Sequence, residues 1–192
     1  MNNLQEHHKK NFEEVNERLG LTSENEVLKS LSNDILAKKD TIVFGADEAS
    51  CDIVGKVIPV PHIAELKRLS GVPSDGDDTH VQYVEKPAVK YNSSKNISDS
   101  EKEDIAKAAT AYILGDPEKV KDYEDAINDT LFPGKAVLFS VENLYVKNGQ
   151  TVVFGSTGEP EIYNFGTITI EKGGQLSVVG NIQLTCQLFT QL

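Results

Sequence analysis

The stretch NFGTITIEKGGQLSVVGN, Asn164 to Asn181, contains two short runs of alternating apolar and polar residues that meet at Gly173-Gly174. A period of two marks a strand with one buried face. Either the two runs fold back on each other as a β-hairpin, or they follow each other round one rung of a stacked β-solenoid. That choice decides the architecture of the C-terminal region.

The same period extends outward from this stretch. Val137, Phe139 and Val141 alternate, as do Leu144 with Val146, and Ile182, Leu184, Cys186 and Leu188. An internal repeat runs through the region. KNGQTVVFGS (147–156) lies over KGGQLSVVGN (172–181) without a gap, at an offset of 25 and with five identities. One strand earlier, Leu144 and Val146 match Ile168 and Ile170 at an offset of 24, which places one extra residue in the double-glycine turn. TIVFG (41–45) echoes TVVFG (151–155) at four of five positions.

Asn148-Gly149 and Gly173-Gly174 are hairpin signals, because a type I′ turn needs positive φ at both central residues. Duplicated hairpins would fold into a sandwich. A spacing near 25 is also about one coil of a parallel β-helix. The string GTITIEKGGQLSVVGN resembles rungs of right-handed β-helix proteins, such as autotransporter passengers and pectate-lyase-like chains, over residues 137–190. That resemblance implies a surface for adhesion, glycan binding or assembly. It transfers no catalytic residue, since residues 137–192 hold four acids, two lysines and no arginine.

Ahead of this region the period is helical. Leu4, Phe12, Val15 and Leu19 form one stripe over residues 3–19, stopped by Gly20. Ser23 and Glu26 have capping-box spacing, and Val27, Leu28, Leu31 and Ile35 would line a second helix. TIVFGA (41–46) reads as a strand ended by Gly45. DIVGKVIPVPHI (52–63) reads as broken extended chain, because Pro59 and Pro61 remove ladder donors. Residues 62–71 form a short helix or turn, and residues 81–91 an edge strand or arm interrupted at Pro87. Ser98 and Glu101 repeat the capping box before a helix burying Ile105, Ala108, Ala109, Tyr112 and Ile113, which Gly115 ends. Pro117 then opens another helix at its first position, with Val120, Tyr123, Ile127 and Leu131 inward.

The predicted fold is α+β: two helical hairpins plus a C-terminal β-rich repeat region, either short β-solenoid or hairpin sandwich. The expected divisions are 1–40, an N-terminal helical hairpin; 41–97, extended with short strands; 98–134, an acidic helical hairpin; and 135–192, the β repeat. Together they are expected to make one compact unit.

Of 192 residues, 39% are hydrophobic and 26% charged, which suffices for a core. The net charge is -11, and residues 98–136 alone carry ten acids against five bases. No segment is net basic, so a phosphate backbone or an anionic membrane surface would be repelled. The N-terminus has no apolar signal stretch and no apolar run reaches membrane-span length. The expectation is synthesis in the cytoplasm, with any release independent of a signal peptide. Cys51 and Cys186 are read as free thiols rather than a disulfide framework.

No catalytic constellation emerges. His7 and His8 are neighbours on a helix and point apart, unlike an i, i+4 metal pair. Cys51 with His62 offers a thiol and a base that nothing in the sequence brings together. Asp75, Asp77 and Asp78 cluster about Gly76, the carboxylate-rich loop that hard cations favour. An EF-hand would need glutamate at its twelfth position, where Lys86 stands, so a plain acidic loop is the leading reading. Glu159 and Glu161 frame Pro160 without the placement of a glycosidase pair. Tyr145, Phe154, Tyr163 and Phe165 would form a sugar-stacking platform if exposed, or core if buried. No cofactor is expected.

The leading functional expectation is a non-catalytic microbial binding or self-assembling protein acting through its β surface. Self-association is its expected partnership, and a glycan or host receptor a further one. The alternatives are a leaderless toxin or effector acting on a host membrane or receptor, and a carbohydrate-active enzyme.

Overall fold

The computed structural model describes residues 4–23, 26–29, 39–74, 81–87 and 97–192. It is mixed α+β, with four α-helices among the described residues and parallel strands in two sheets. The chain divides into two compact units. Residues Met1–Ile58 and Lys135–Leu192 form one, and Pro59–Gly134 the other.

The first unit carries the β structure. Helix α1 (Glu6–Leu19) buries Phe12, Asn16 and Leu19, and ends where Gly20 turns left-handed at φ 67. The short strand β1 (Val27–Leu28) pairs parallel with β5 (Gly134–Val146). The two-residue position predicted to be helical is therefore strand. Ser23 and Glu26 make one of the two bonds of a capping box, with the Ser23 N–H donating to the Glu26 carboxylate at 3.2 Å, while the Glu26 N–H donates to the Ser23 backbone carbonyl at 3.0 Å. Pairing to Ser140 and Val141 nevertheless holds the next residues extended. Tertiary pairing overrides a local helix signal of a few residues. Leu31 and Ile35 lie outside the described residues.

Strand β2 (Thr41–Gly45) appears where its apolar run predicted it, followed by β3 (Ile53–Val54) and β4 (Lys56–Val60). The C-terminal region supplies β5, β6 (Thr151–Phe154), β7 (Glu161–Ile170), β8 (Gln175–Val178) and β9 (Ile182–Gln191). One sheet runs β1-β5-β7-β9, with β4 also pairing to β5; the other runs β3-β2-β6-β8.

Every described strand register is parallel. The strands flanking Asn148-Gly149 lie in different sheets, as do those flanking Gly173-Gly174, so neither turn closes a hairpin. In the first sheet Leu144 lies beside Ile168 and Val146 beside Ile170, the offset of 24 seen in the repeat. In the second sheet Thr151 pairs with Gln175, again 24 residues on. The double-glycine turn therefore adds no residue. Gly155 packs on Gly180 just after β8, and the connection from there to β9 is three residues shorter than that from β6 to β7, since Glu161 pairs with Ile182. The TIVFG echo is a pairing: Thr41 lies beside Thr151, Ile42 beside Val152 and Val43 beside Val153.

The core lies between the sheets. Ile42, Phe44, Val152, Phe154, Phe139, Val141, Tyr163 and Phe165 are buried there with Leu144 and Ile168. Inward parity resets between Val141 and Leu144, and between Phe165 and Ile168, where the pairing of Glu142 with Gly166 is skipped. A Cβ on Gly166 would stand 2.5 Å from the Glu142 carbonyl oxygen, so this bend needs glycine.

The second unit is helical. His62 caps α2 (Ile63–Ser70), its Nδ1 accepting from the Glu65 N–H at 3.2 Å. The predicted Ser98–Glu101 capping box opens α3 (Asp99–Leu114). Asp116 and Pro117 open a 3₁₀ segment (Pro117–Tyr123) that leads into α4 (Glu124–Leu131). Residues 81–87 make no strand. They serve as the arm, whose Tyr83 hydroxyl accepts from the Asp116 N–H at 2.8 Å. Lys67 is buried, and its ammonium donates to the Ile113 and Gly115 carbonyls at 2.9 and 2.8 Å, neutralising the C-terminal end of α3.

Candidate functional site

The four aromatics divide by position. Phe154, Tyr163 and Phe165 are fully buried. Tyr163 stacks on Phe139 at 4.6 Å between centroids, and Phe44 meets Phe154 at 5.2 Å. They occupy the inward positions of β6 and β7 and make the interior of the unit, which is the core placement weighed for them. Tyr145 alone is partly exposed, and its hydroxyl donates to Glu171 at 2.6 Å. The same carboxylate accepts the Asn148 N–H at 2.8 Å, so it braces the turn after β5. The Tyr145 bond, then the Asn148 bond, hold Glu171 below the usual carboxylate range.

Glu161 begins β7 with its side chain inward and fully buried. Its carboxylate accepts the Gly155 and Thr157 N–H groups, each at 2.9 Å, and the Tyr163 hydroxyl. Three donors satisfy the buried carboxyl group. Burial, reinforced by the carboxylate beside it, pushes the Tyr163 phenol far above its ordinary value. Glu159 is exposed in the loop before it, so the two acids face different surroundings.

Cys51 and Cys186 are free thiols. Burial raises the pKa of each, and Asp47, Asp52 and Glu161 add to the rise at Cys51, the reverse of nucleophile activation. His62 spends its Nδ1 on the α2 cap. His7 and His8 sit on α1 with ring centroids 3.9 Å apart and tilted. Asp75, Asp77 and Asp78 lie outside the described residues. Among the described residues, no group of three metal-ligating side chains converges, and no helix is long and apolar enough to cross a membrane.

A pocket of about 290 Å³ opens among β1, β3, β4 and β5, walled by Leu28, Val54 and Leu138. Its charged groups are spent on each other. Lys56 Nζ lies 2.6 Å from Glu26 and donates to the Gly20 carbonyl at 3.0 Å. The bonds from Lys56 and then Ser23 lower the Glu26 pKa to about 2.

The surface that remains open is the end formed by β8 and β9. Each is the last strand of its sheet, with no further described strand on its outer edge. Residues at core positions are left uncovered there. Val178 pairs with fully buried Phe154 yet is 57% exposed, and Phe189 pairs with buried Ile168 yet is 56% exposed. Val179 and Leu192 are exposed beside them. From Gln175 to Leu192 there is no charged residue. Edge strands ordinarily carry charges that discourage further pairing, and this one does not. Sequence reading missed the end because its alternation matches that of the buried strands; the missing charges were the available signal.

Comparison with known proteins finds no family model, no curated protein and no solved structure that matches the chain.

Proposed function

We propose that this chain is a non-catalytic binding or self-assembling protein that acts through its β-rich surface, and that β5–β9 are the walls of a short parallel β-solenoid. Parallel registers of 24 residues from β5 to β7 and from β6 to β8, and of 21 from β7 to β9, support the solenoid reading, because successive coils of such a fold place like positions one above another. The inward aromatic stack supports it as well, since it continues from coil to coil.

One observation carries the functional reading: at the β8–β9 end, which has no charged side chain, the outer edge of each sheet has no partner strand among the described residues, and Val178 and Phe189 at core positions are exposed. Covering a valine, leucine or phenylalanine side chain completely contributes ~1.5–3 kcal/mol. Val178, Val179, Phe189 and Leu192 are each more than 40% exposed, so the end offers association energy to whatever covers it. Such an end suits docking and supplies none of the polarised groups that a reaction requires.

Light scattering on a sizing column, run over a wide range of concentrations, tests the reading. Mass rising with concentration is the expected result. A monomer throughout, with no ligand retained on a glycan array, would remove both forms of it.

A further inference from the structure

We infer that the occupant of the β8–β9 end is a second copy of this chain, joined isologously with the two β9 strands antiparallel about a two-fold axis, so that assembly closes at a dimer. The inference rests on the self-association reading above and specifies its partner and symmetry.

Charge selects the partner. The chain carries a net charge of -11, so two copies repel over most approaches. Gln175–Leu192 carries no charged side chain, and there that repulsion is weakest. What the end lacks, it also offers. It has an open strand edge that needs a strand, and apolar side chains at core positions that need apolar cover. A surface that meets its own requirements is the condition for an isologous contact. A two-fold axis perpendicular to the strands reverses their direction, so the parallel order within each copy becomes an antiparallel pair at the junction of the β9 strands.

The other end of the sheets explains why growth stops. The edges there are β1 and β4 on one sheet and β3 on the other. Beside them lie the Lys56–Glu26 and Lys39–Asp52 ion pairs. Seating the neutral end of one copy on these groups would strip them of water and give nothing in return. Head-to-tail stacking, which would produce a filament, is disfavoured on that ground.

The test uses the full chain and two variants, Val178→Lys with Phe189→Lys, and Val178→Asp with Phe189→Asp. Both positions are more than half exposed, so the β circular-dichroism signal should survive. The wild type should reach a dimer mass and go no further. Each variant alone should lose the dimer, its dissociation constant rising more than about tenfold. An equimolar mixture should regain it, because opposite charges then meet across the axis. Wild-type polymers larger than a dimer, or variants that stay monomeric when mixed, would overturn the isologous arrangement while leaving self-assembly in place. A wild type that is monomeric at every concentration would overturn the self-assembly reading itself.

Discussion

The Tyr163 hydroxyl donates to the carboxylate of Glu161, two residues earlier on the same inward face of β7, and neither side chain reaches solvent. Glu161 in turn holds the N–H groups of Gly155 and Thr157 in the loop leaving β6. A buried carboxylate thus ties successive repeats together at a bend. Tyr163→Phe keeps the ring stack and removes one donor, which should cost ~1–3 kcal/mol in urea unfolding. Glu161→Ala should cost more, since it strands two backbone donors as well as the phenol.

The same pair gives an alkaline signature. The Tyr163 pKa is raised in the folded protein above its ordinary value of 10.0. Above that value the unfolded chain releases the proton while the folded chain keeps it. Stability that is intact at neutral pH should therefore fall as pH rises beyond 10. Unfolding midpoints followed over that range should show a shallower decline in Tyr163→Phe than in the wild type.

The repeat glycines separate backbone strain from crowding. Gly155 has φ +82, and a Cβ there would sit 2.5 Å from the Gly180 nitrogen. Gly158 has φ +79 with nothing within 4 Å. Gly158→Ala should cost about 1–2 kcal/mol, the strain of a left-handed residue alone. Gly155→Ala adds a backbone collision and should exceed about 3 kcal/mol. Equal losses in thermal melts would mean that the two repeats are not in close contact at this bend.

Glu26 provides an acid-side check. Its folded pKa is lowered from 4.5 to about 2 by the bonds from Lys56 and Ser23. The contribution it makes is complete above about 4.5 and disappears as pH falls toward 2. Lys56→Gln should therefore lower the unfolding midpoint at neutral pH, and the difference from wild type should narrow below pH 4.5. A difference that does not change with pH would show that the pair is unimportant to stability.

In the helical unit, Lys67→Met keeps the apolar stem but leaves the Ile113 and Gly115 carbonyls without their charged donor. The expected loss is ~1–3 kcal/mol. Hydrogen exchange should register it first at the amides of α3, whose C-terminal end the lysine holds.

Much of the local structure was legible in residue order. The Ser98–Glu101 box marked the start of α3, Gly20 the end of α1, and the period-two runs located β5 through β9. The match of TIVFG to TVVFG proves to be a true register between strands far apart in the chain. Such signals are readable because caps, turns and alternation depend on neighbours a few residues away. Alternation says which side chains share a face. It does not say which strand lies alongside or in which direction. Asn148-Gly149 suits a hairpin and a corner between two sheets equally well, and the parallel pairing of β5 with β7 selected the corner. Val27 and Leu28 became a strand because β5 offered them partners. Whether an inward apolar residue is covered likewise depends on the next strand. Phe154 is sealed by β8 and Val178 is left more than half exposed, although the two lie side by side in the strand register.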